Sequence, residues 1–366
     1  MSDSVRINAR DPRHSVRLAR FLSIAAVTAL VGTAATAQSI PRLVQVGSIG
    51  CADCGGAARF ATISDVTVTD SGQVLVVGSE APTLRLFDRT GRVIWTAGRD
   101  GTGPGEYRRP MRASIGQSGI QVVDMALRRL SRLSGDGTFQ SSAPIAGFPA
   151  GAAARNGSSD VVLIVDNFTG PKGLERWTLG DSGRPVGSVP PVQGAQPGTI
   201  AFPSVAVAPS GDIAVLPDGN VYLIHRFAAS GAPSGTWQRQ IERVKRTPAE
   251  IAALERIRQR AAARASAEVG RGRGAPPPLR ASGSDDLKPH IAIDGLRFDD
   301  AGRLWVRTMR GDEASTILDV FAPDGRFIGE VIVPTAIAAF SLGGRWLAAD
   351  TEAADGTRVV RIWEVR

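Results

Sequence analysis

Five acidic residues and one arginine are the first candidates in this sequence for chemistry or for holding a charged ligand. Each follows the second apolar run of a repeating unit. They are Glu80, Asp124, Asp166, Asp218, Asp350 and Arg307. In a ring of repeats the carboxylates would form an acidic collar for a divalent cation or a cationic ligand. The sequence favours the alternative that each Asp caps its own turn, because one Asp per unit is what a repeat gives.

Histidine is scarce, which restricts the catalytic options. The chain has three histidines, and the first lies in the leader described below. A Ser-His-Asp triad requires a histidine. His225 lies inside an apolar run, where a structural role is expected, so His290 is the weak catalytic candidate. We predict no cofactor and no resident metal, with a divalent cation at the collar as the alternative, and the sequence favours a protein that is not an enzyme.

The two cysteines, Cys51 and Cys54, are separated by two residues. In an exported chain an even number of cysteines predicts a disulfide. One such pair supplies too few ligands for a structural zinc site, which needs four. The interpretation that we favour is a local Cys51–Cys54 disulfide, with a metal or redox pair and free thiols as alternatives.

The first 37 residues resemble a secretory signal peptide. Arg17 and Arg20 precede an apolar run over 21–32, and Ala35-Thr36-Ala37 follows as a cleavage site. We predict cleavage after Ala37 and export to the periplasm or beyond the cell; an uncleaved membrane anchor is the alternative. No second apolar run is long enough to span a membrane.

The net charge of +8 comes from two segments of the chain. Residues 1–37 contribute +3 and residues 241–290 contribute +5, so the rest of the chain is neutral. A nucleic-acid-binding protein would need a basic face on its folded body. We therefore predict no nucleic-acid partner.

A repeat with a period in the forties organises the chain. Its markers are the glycines that end the third-strand turns, Gly91, Gly137, Gly183, Gly231 and Gly325, with a double step before the last. Four short apolar runs per unit, with glycine-bearing turns, are typical of a propeller blade. We predict an all-β six-bladed propeller over 38–366, with seven blades as the alternative. The strand at 42–46 would complete the last blade and close the ring.

Residues 241–290 form an insert between blades 4 and 5. Thr247-Pro248-Ala249-Glu250 is a capping box with proline at the first helical position. It predicts a helix over about 248–267, followed by a flexible stretch over 270–283. The helix is either a lid over the channel mouth or an appendage packed on the rim.

Two segments carry a family resemblance. Gly101–Tyr107, GTGPGEY, resembles the junction between NHL-type blades, and 122–130, VVDMALRRL, resembles its continuation, with Leu127 where Asn is usual. The chain is similar to exported NHL-like six-bladed propeller proteins of bacteria, a group of largely unassigned function. Gluconolactonases and peptidyl-amidoglycolate lyases are similar in fold. This sequence lacks the metal-binding segments of the gluconolactonases. After the leader it has two histidines, too few for the three-histidine site of the lyases.

The expected function follows from the face that carries the unusual features. The cysteine loop, the insert and the junction with Arg108 and Arg109 all belong to the face of the blade crossovers. We expect a non-catalytic protein that binds a protein, peptide or envelope glycan there. The alternative is a metal-assisted, lactonase-like hydrolase or lyase at the channel mouth. A structural role in an envelope complex is a third possibility.

Overall fold

The computed structural model describes residues 39–51, 58–78, 82–116, 119–154, 160–166, 173–178, 185–189, 204–256, 258–259 and 286–366. The predicted signal peptide, Cys54, Glu80 and the stretch over 270–283 lie outside these ranges. Residues 39–366 fold as one unit. Within the described ranges, no helix combines the length and the apolar character that a bilayer crossing requires.

The fold is an all-β propeller, as predicted, and its strands form six four-stranded antiparallel sheets. Sheet 1 contains β2 Ile63–Val68, β3 Val74–Gly78, β4 Leu84–Phe87 and β5 Val93–Ala97. Sheet 2 contains β6 Pro110–Gly116, β7 Gly119–Asp124, β8 Arg129–Leu133 and β9 Phe139–Pro144. Sheet 3 contains β10 Phe148–Ala154, β11 Asp160–Asp166, β12 Gly173–Thr178 and β13 Pro185–Val189.

The remaining sheets follow the same up-and-down order. Sheet 4 contains β14 Ser204–Val207, β15 Ile213–Leu216, β16 Leu223–Phe227 and β17 Pro233–Gln238. Sheet 5 contains β18 Ile291–Phe298, β19 Leu304–Thr308, β20 Thr316–Phe321 and β21 Phe327–Val333. Sheet 6 contains β22 Ile337–Gly343, β23 Trp346–Glu352 and β24 Arg358–Val365, completed by β1 Leu43–Ile49.

The two ends of the described chain meet in sheet 6. β1 pairs antiparallel with β24, with Leu43 opposite Val365 and Ile49 opposite Val360. The first strands of neighbouring sheets contact one another in order, β2, β6, β10, β14, β18, β22 and again β2. Pairing the first strand with the last covers an edge that a sheet would otherwise expose.

Apolar residues fill the spaces between neighbouring sheets. Most of the described Val, Leu and Ile side chains in the first, second and third strands are buried, and aromatic rings fill the remaining space between the sheets. Trp305 of sheet 5, for example, belongs to one buried cluster with Phe340 and Trp363 of sheet 6. Since the sheets pack face to face, the fourth strands are left with the more exposed positions.

Two faces result from this arrangement. The turn face carries the tight loops between first and second strands and between third and fourth strands. Gly91, at φ 87°, ends one such turn, and the carboxylate of Asp88 accepts hydrogen bonds from the backbone N–H groups of Thr90 and Arg92 there. The crossover face carries the loops between second and third strands, the crossovers between sheets and the insert.

Candidate functional site

The central channel is crossed by a network of buried charges. Asp65 lies in β2 and is fully buried, and Arg112 in β6 is 6% exposed. Nη1 of Arg112 is 2.5 Å from Oδ1 of Asp65, and its Nη2 is 2.5 Å from Oδ2 of Asp294 in β18. Arg297, also in β18, lies 2.7 Å from the same Asp294 oxygen. We call Asp65, Arg112, Asp294 and Arg297 the channel network; it joins sheets 1, 2 and 5.

A bulge in β18 brings Asp294 into this network. The pairing of β18 with β19 skips from Ile291 to Leu296, and Asp294 has a left-handed φ of 55°. That conformation is costly for a residue with a Cβ, and such strain is found where neighbouring contacts enforce it. Nη2 of Arg307 donates to the carbonyl of Ile293 at 2.8 Å. The bulge also leaves Ile293 64% exposed on the crossover face.

The charges within the network shift one another's protonation. Burial raises the pKa of Asp294, but Arg112 and Arg297 more than offset this and hold it well below its usual range. Burial lowers the pKa of Arg112, yet Asp294 and Asp65 raise it above its ordinary value. For Asp65, burial raises the pKa and the arginines offset this only in part. Asp294 and Arg112 therefore stay ionised at neutral pH.

Below the network, towards the turn face, the channel narrows to a cavity of about 30 Å³. All six first strands line it, and the residues include Thr67, Arg112, Ala153, Val205, Arg297 and Ser341. A water molecule needs roughly 10–15 Å³ measured in this way. The cavity therefore has room for about two waters, and a larger ligand does not fit into it.

The described collar residues already form hydrogen bonds or ion pairs with other parts of the protein. Asp124 is fully buried and accepts hydrogen bonds from the backbone N–H groups of Arg108, Arg109 and Leu127. Oδ1 of Asp218 accepts from the backbone N–H and the side-chain amide of Asn220, both at 2.9 Å. The bonds from Leu127 and Asn220 are those that the capping alternative expects, whereas those from Arg108 and Arg109 join Asp124 to the preceding junction.

Asp350 and Arg307 are engaged differently. Asp350 forms an ion pair with Arg358, and burial raises its pKa to about 6 despite that arginine. Arg307 donates to the carbonyls of Ile337 and Ile293, and burial lowers its pKa to about 10. Asp166 ends β11, as predicted. Its side chain, like the whole of Glu80, lies outside the described residues.

The remaining candidates are scattered. Arg108 and Arg109 are exposed, and their backbones hold Asp124 rather than a site of their own. His290 precedes β18, and its side chain is half-buried near Arg243 and Arg310. Cys51 is described but Cys54 is not, so the Cys51–Cys54 disulfide stays a prediction. Glu106 holds the junction, since it accepts from the N–H of Gly103 and pairs with Arg99.

The two ends of the insert pair with each other. The backbone N–H of Arg246 donates to the carbonyl of Asp286, and that of Lys288 donates to Val244. Residues 248–256 are helical, so the helix begins where the capping box predicts. Glu250 accepts from the N–H of Thr247 at 2.8 Å and lies 2.7 Å from Nζ of Lys288. One carboxylate thus caps the helix and anchors it.

Glu250→Ala should loosen the start of the helix more than Glu250→Gln. Glutamine still completes a capping box but cannot form the ion pair with Lys288, whereas alanine loses both. A lost cap costs about 0.5–2 kcal/mol. Hydrogen exchange of the amides in 247–256 should be fastest in Glu250→Ala, intermediate in Glu250→Gln and slowest in the unchanged protein. Equal exchange in all three would mean that Glu250 does not hold the helix.

A second buried network joins sheets 4 and 5. Asp319 in β20 is fully buried and lies 2.7 Å from Nη1 of Arg239, which directly follows β17. Arg310 forms an ion pair with the other Asp319 oxygen, and the hydroxyl of Tyr222 donates to Asp319 at 2.7 Å. Glu330 bridges the same two arginines nearer the surface. We call these five residues the 319 network.

Neither network is predicted from the sequence, although a signal for both exists. Asp65, Arg112, Asp294 and Asp319 are charged residues inside runs that otherwise have the composition of buried strands. A charge at such a position needs a partner when it is buried. The partners could not be assigned from the sequence, because they lie in different repeats.

Comparison with known proteins supports the fold. No protein-family model and no curated protein sequence matches this chain. A predicted exported protein of Bacteroides fragilis is similar in structure, with a TM-score of 0.55, 10% identity and coverage of 89% of this chain and 95% of that one. A DUF4221-family protein of Bacteroides vulgatus has a TM-score of 0.52 and 9% identity, covering 90% and 99%. Virginiamycin B lyase of Staphylococcus aureus has a TM-score of 0.48 and 13% identity, covering 88% and 98%.

Proposed function

We propose that this chain is an exported, non-catalytic propeller that binds a protein, peptide or envelope ligand through its crossover face. The proposal includes a ring of six blades of the NHL-like type, which the six sheets and the order of contacts between their first strands support. The observation that carries it is the narrow channel. The channel network lies across it and a cavity of about 30 Å³ lies below, which supports binding on a face.

Of the two faces, the crossover face is better suited to binding a partner. The turn face consists of short turns whose polar groups are satisfied locally, as Asp88 and Asp136 illustrate. The crossover face carries the longer segments and two strongly exposed apolar side chains, Ile293 at 64% and Val221 at 54%. Exposed apolar side chains near the centre of a face, surrounded by polar groups, are typical anchors for a protein partner.

The alternative, a metal-assisted hydrolase or lyase, would use the acidic collar and His290. Its difficulty is that the collar oxygens of Asp124 and Asp218 already accept hydrogen bonds, from their own loops and, for Asp124, also from the junction at Arg108. His290 lies near arginines rather than near a carboxylate that could orient it as a base. Hydrolysis of a lactone or ester that requires Ca²⁺ and disappears in His290→Ala would favour this alternative.

Photo-crosslinking in cells tests the binding proposal. A photoreactive amino acid is placed at Val221 or Ile293 on the crossover face, and at Thr90 or Arg326 on the turn face, in the full-length chain. We expect a discrete crosslinked partner from the first pair of positions and not from the second. The additional change Ile293→Asp should reduce the crosslink formed from position 221. Crosslinks from the turn face alone, or equally from both faces, would overturn the proposal.

A further inference from the structure

A corner of the crossover face between sheets 4 and 5 carries a positive charge without a matching acid. Arg243 lies where the insert begins. Its Nε donates to the carbonyl of Lys288 at 2.9 Å, and its Nη2 donates to Leu287 and to the side-chain oxygen of Asn220. None of these acceptors is a carboxylate. Within the described part of the chain, Nη1 of Arg243 has no hydrogen-bond partner and the guanidinium has no ion pair.

His290 belongs to the same corner and also has an unmet polar atom. Its backbone N–H donates to Gly219 at 2.8 Å and its carbonyl accepts from Met309, so its position is fixed. Its Nδ1 is buried and without a partner among the described residues. A buried polar atom without a partner costs about 1–3 kcal/mol, so such atoms call for an explanation. Because Gly219 neighbours Asn220, the anchors of Arg243 and His290 are adjacent.

The other charges around His290 are already matched. Arg310, from the loop after β19, pairs with Asp319 and Glu330. Lys288, two residues before His290, pairs with Glu250. Tyr222, whose ring centroid is 6.3 Å from that of His290, donates its hydroxyl to Asp319. Of the described cations Arg243, Lys288 and Arg310, Arg243 is therefore the one without a carboxylate partner, and an external anion could neutralise its charge.

We propose that Arg243 and His290 form a subsite for an oxyanion, a carboxylate or phosphate group of the ligand bound on the crossover face. The oxyanion would accept one hydrogen bond from Nη1 of Arg243 and one from Nδ1–H of His290, so that both unmet groups gain a partner. Arginine is well suited to this because its planar fork matches the geometry of such anions. The inference rests on the proposed function in one respect: the oxyanion is taken to be part of the ligand that binds on the crossover face.

Binding at this subsite should be linked to protonation of His290. Burial, then Arg243 and then Arg310 lower the pKa of the free imidazole, which is therefore neutral at pH 7. Protonation lets both ring nitrogens donate, so an anion binds the charged form better and raises the pKa. Affinity for the anion should accordingly increase as the pH falls through the pKa of His290 and decrease as it rises.

The test is an NMR titration of the histidine side chains of the exported chain. After removal of the leader, His225 and His290 are the two histidines, and His225 serves as the internal reference because burial alone shifts its pKa. The pKa of each is measured in chloride, in inorganic phosphate and in acetate at one ionic strength. We expect phosphate, acetate or both to raise the pKa of His290 by about one unit, which corresponds to tenfold coupling, and to leave His225 unchanged.

Arg243→Gln separates the subsite from a general salt effect. It removes the charge while keeping a donor for Asn220, and the two-dimensional spectrum verifies the fold. The rise in the pKa of His290 that the anion causes should fall to about a tenth of its size in the unchanged protein. It should be partly retained in Arg243→Lys and fully retained in Arg326→Gln, an exposed arginine on the turn face.

The outcomes are distinct. A response to acetate alone identifies a carboxylate site, and a response to phosphate alone identifies a phosphate site. A pKa of His290 that is the same in all three salts, an equal shift of His225, or an unchanged response in Arg243→Gln would overturn the inference. None of these results depends on the crosslinking experiment, so a failure of the subsite is distinguishable from a failure of the proposed function.

Discussion

Replacing Asp65 with alanine is expected to lower the free energy of unfolding by about 3–5 kcal/mol. The change removes one of the two carboxylates that neutralise Arg112, which is 6% exposed. It also removes the acceptor of the Ala113 N–H group. The loss is large because leaving a buried guanidinium without one of its two carboxylate partners costs more than the net value of the intact pair. Denaturant unfolding with an unchanged slope measures it.

The matched control is Asp100→Ala. Asp100 pairs with Arg108 at 3.8 Å, and both side chains are more than half exposed. Because water already solvates both charges, this change should cost about 0–1 kcal/mol. If Asp65→Ala destabilises the protein no more than Asp100→Ala does, the channel network is not a main source of stability.

A double variant separates burial of charge from loss of packing. In Asp65→Ala with Arg112→Met, the buried guanidinium is removed together with its partner, while Asp294 keeps Arg297. Replacing a buried ion pair by apolar groups is often neutral or stabilising. The double variant should therefore be more stable than Asp65→Ala alone. A further loss on adding Arg112→Met would show instead that the arginine contributes mainly by packing.

The features of this fold that the sequence predicts are those encoded within one repeat. The glycines of the third-strand turns mark the period, as Gly91 and Gly325 show with their positive φ values. The capping box at Thr247 and Glu250 is a local pattern, and the helix begins there. The pairing of β1 with β24 could be inferred because the last unit lacked its fourth strand.

The candidate site was less predictable, because it depends on which repeats face each other across the channel. Arg112 and Asp294 belong to sheets 2 and 5, and no local pattern pairs them. Gly295, where a Cβ would lie 2.6 Å from the carbonyl oxygen of Ala292, marks the bulge that brings Asp294 to Arg112, but it does not indicate which repeat lies opposite. The regular spacing of the collar acids is more informative, because it favours turn capping over a site, and Asp124 and Asp218 accept hydrogen bonds from their own loops.

Asp319→Ala should lower the free energy of unfolding by about 3–5 kcal/mol, as Asp65→Ala does. It should also affect the insert. Asp319 is fully buried between Arg239 and Arg310, and it accepts a hydrogen bond from the hydroxyl of Tyr222. Burial, followed by this carboxylate, raises the pKa of Tyr222 well above its ordinary value, so the phenol remains a donor at all ordinary pH values. Removing the carboxylate leaves two guanidinium groups facing each other with only Glu330 between them.

The insert should respond because Arg239 is where the chain leaves sheet 4. When Arg239 loses its buried partner, local opening of the segment that follows becomes easier, and hydrogen exchange over 239–246 should accelerate beyond the global change in stability. Glu330→Ala is the control, since Glu330 contacts the same arginines but is 37% exposed; it should cost about 1 kcal/mol or less. Equal losses in the two variants, or exchange over 239–246 that follows global stability alone, would contradict a role of Asp319 in fixing the insert. Since Arg243 and its anchors lie in and beside this segment, Asp319→Ala should also weaken the response of His290 to anions, although Asp319 is expected to contact no ligand.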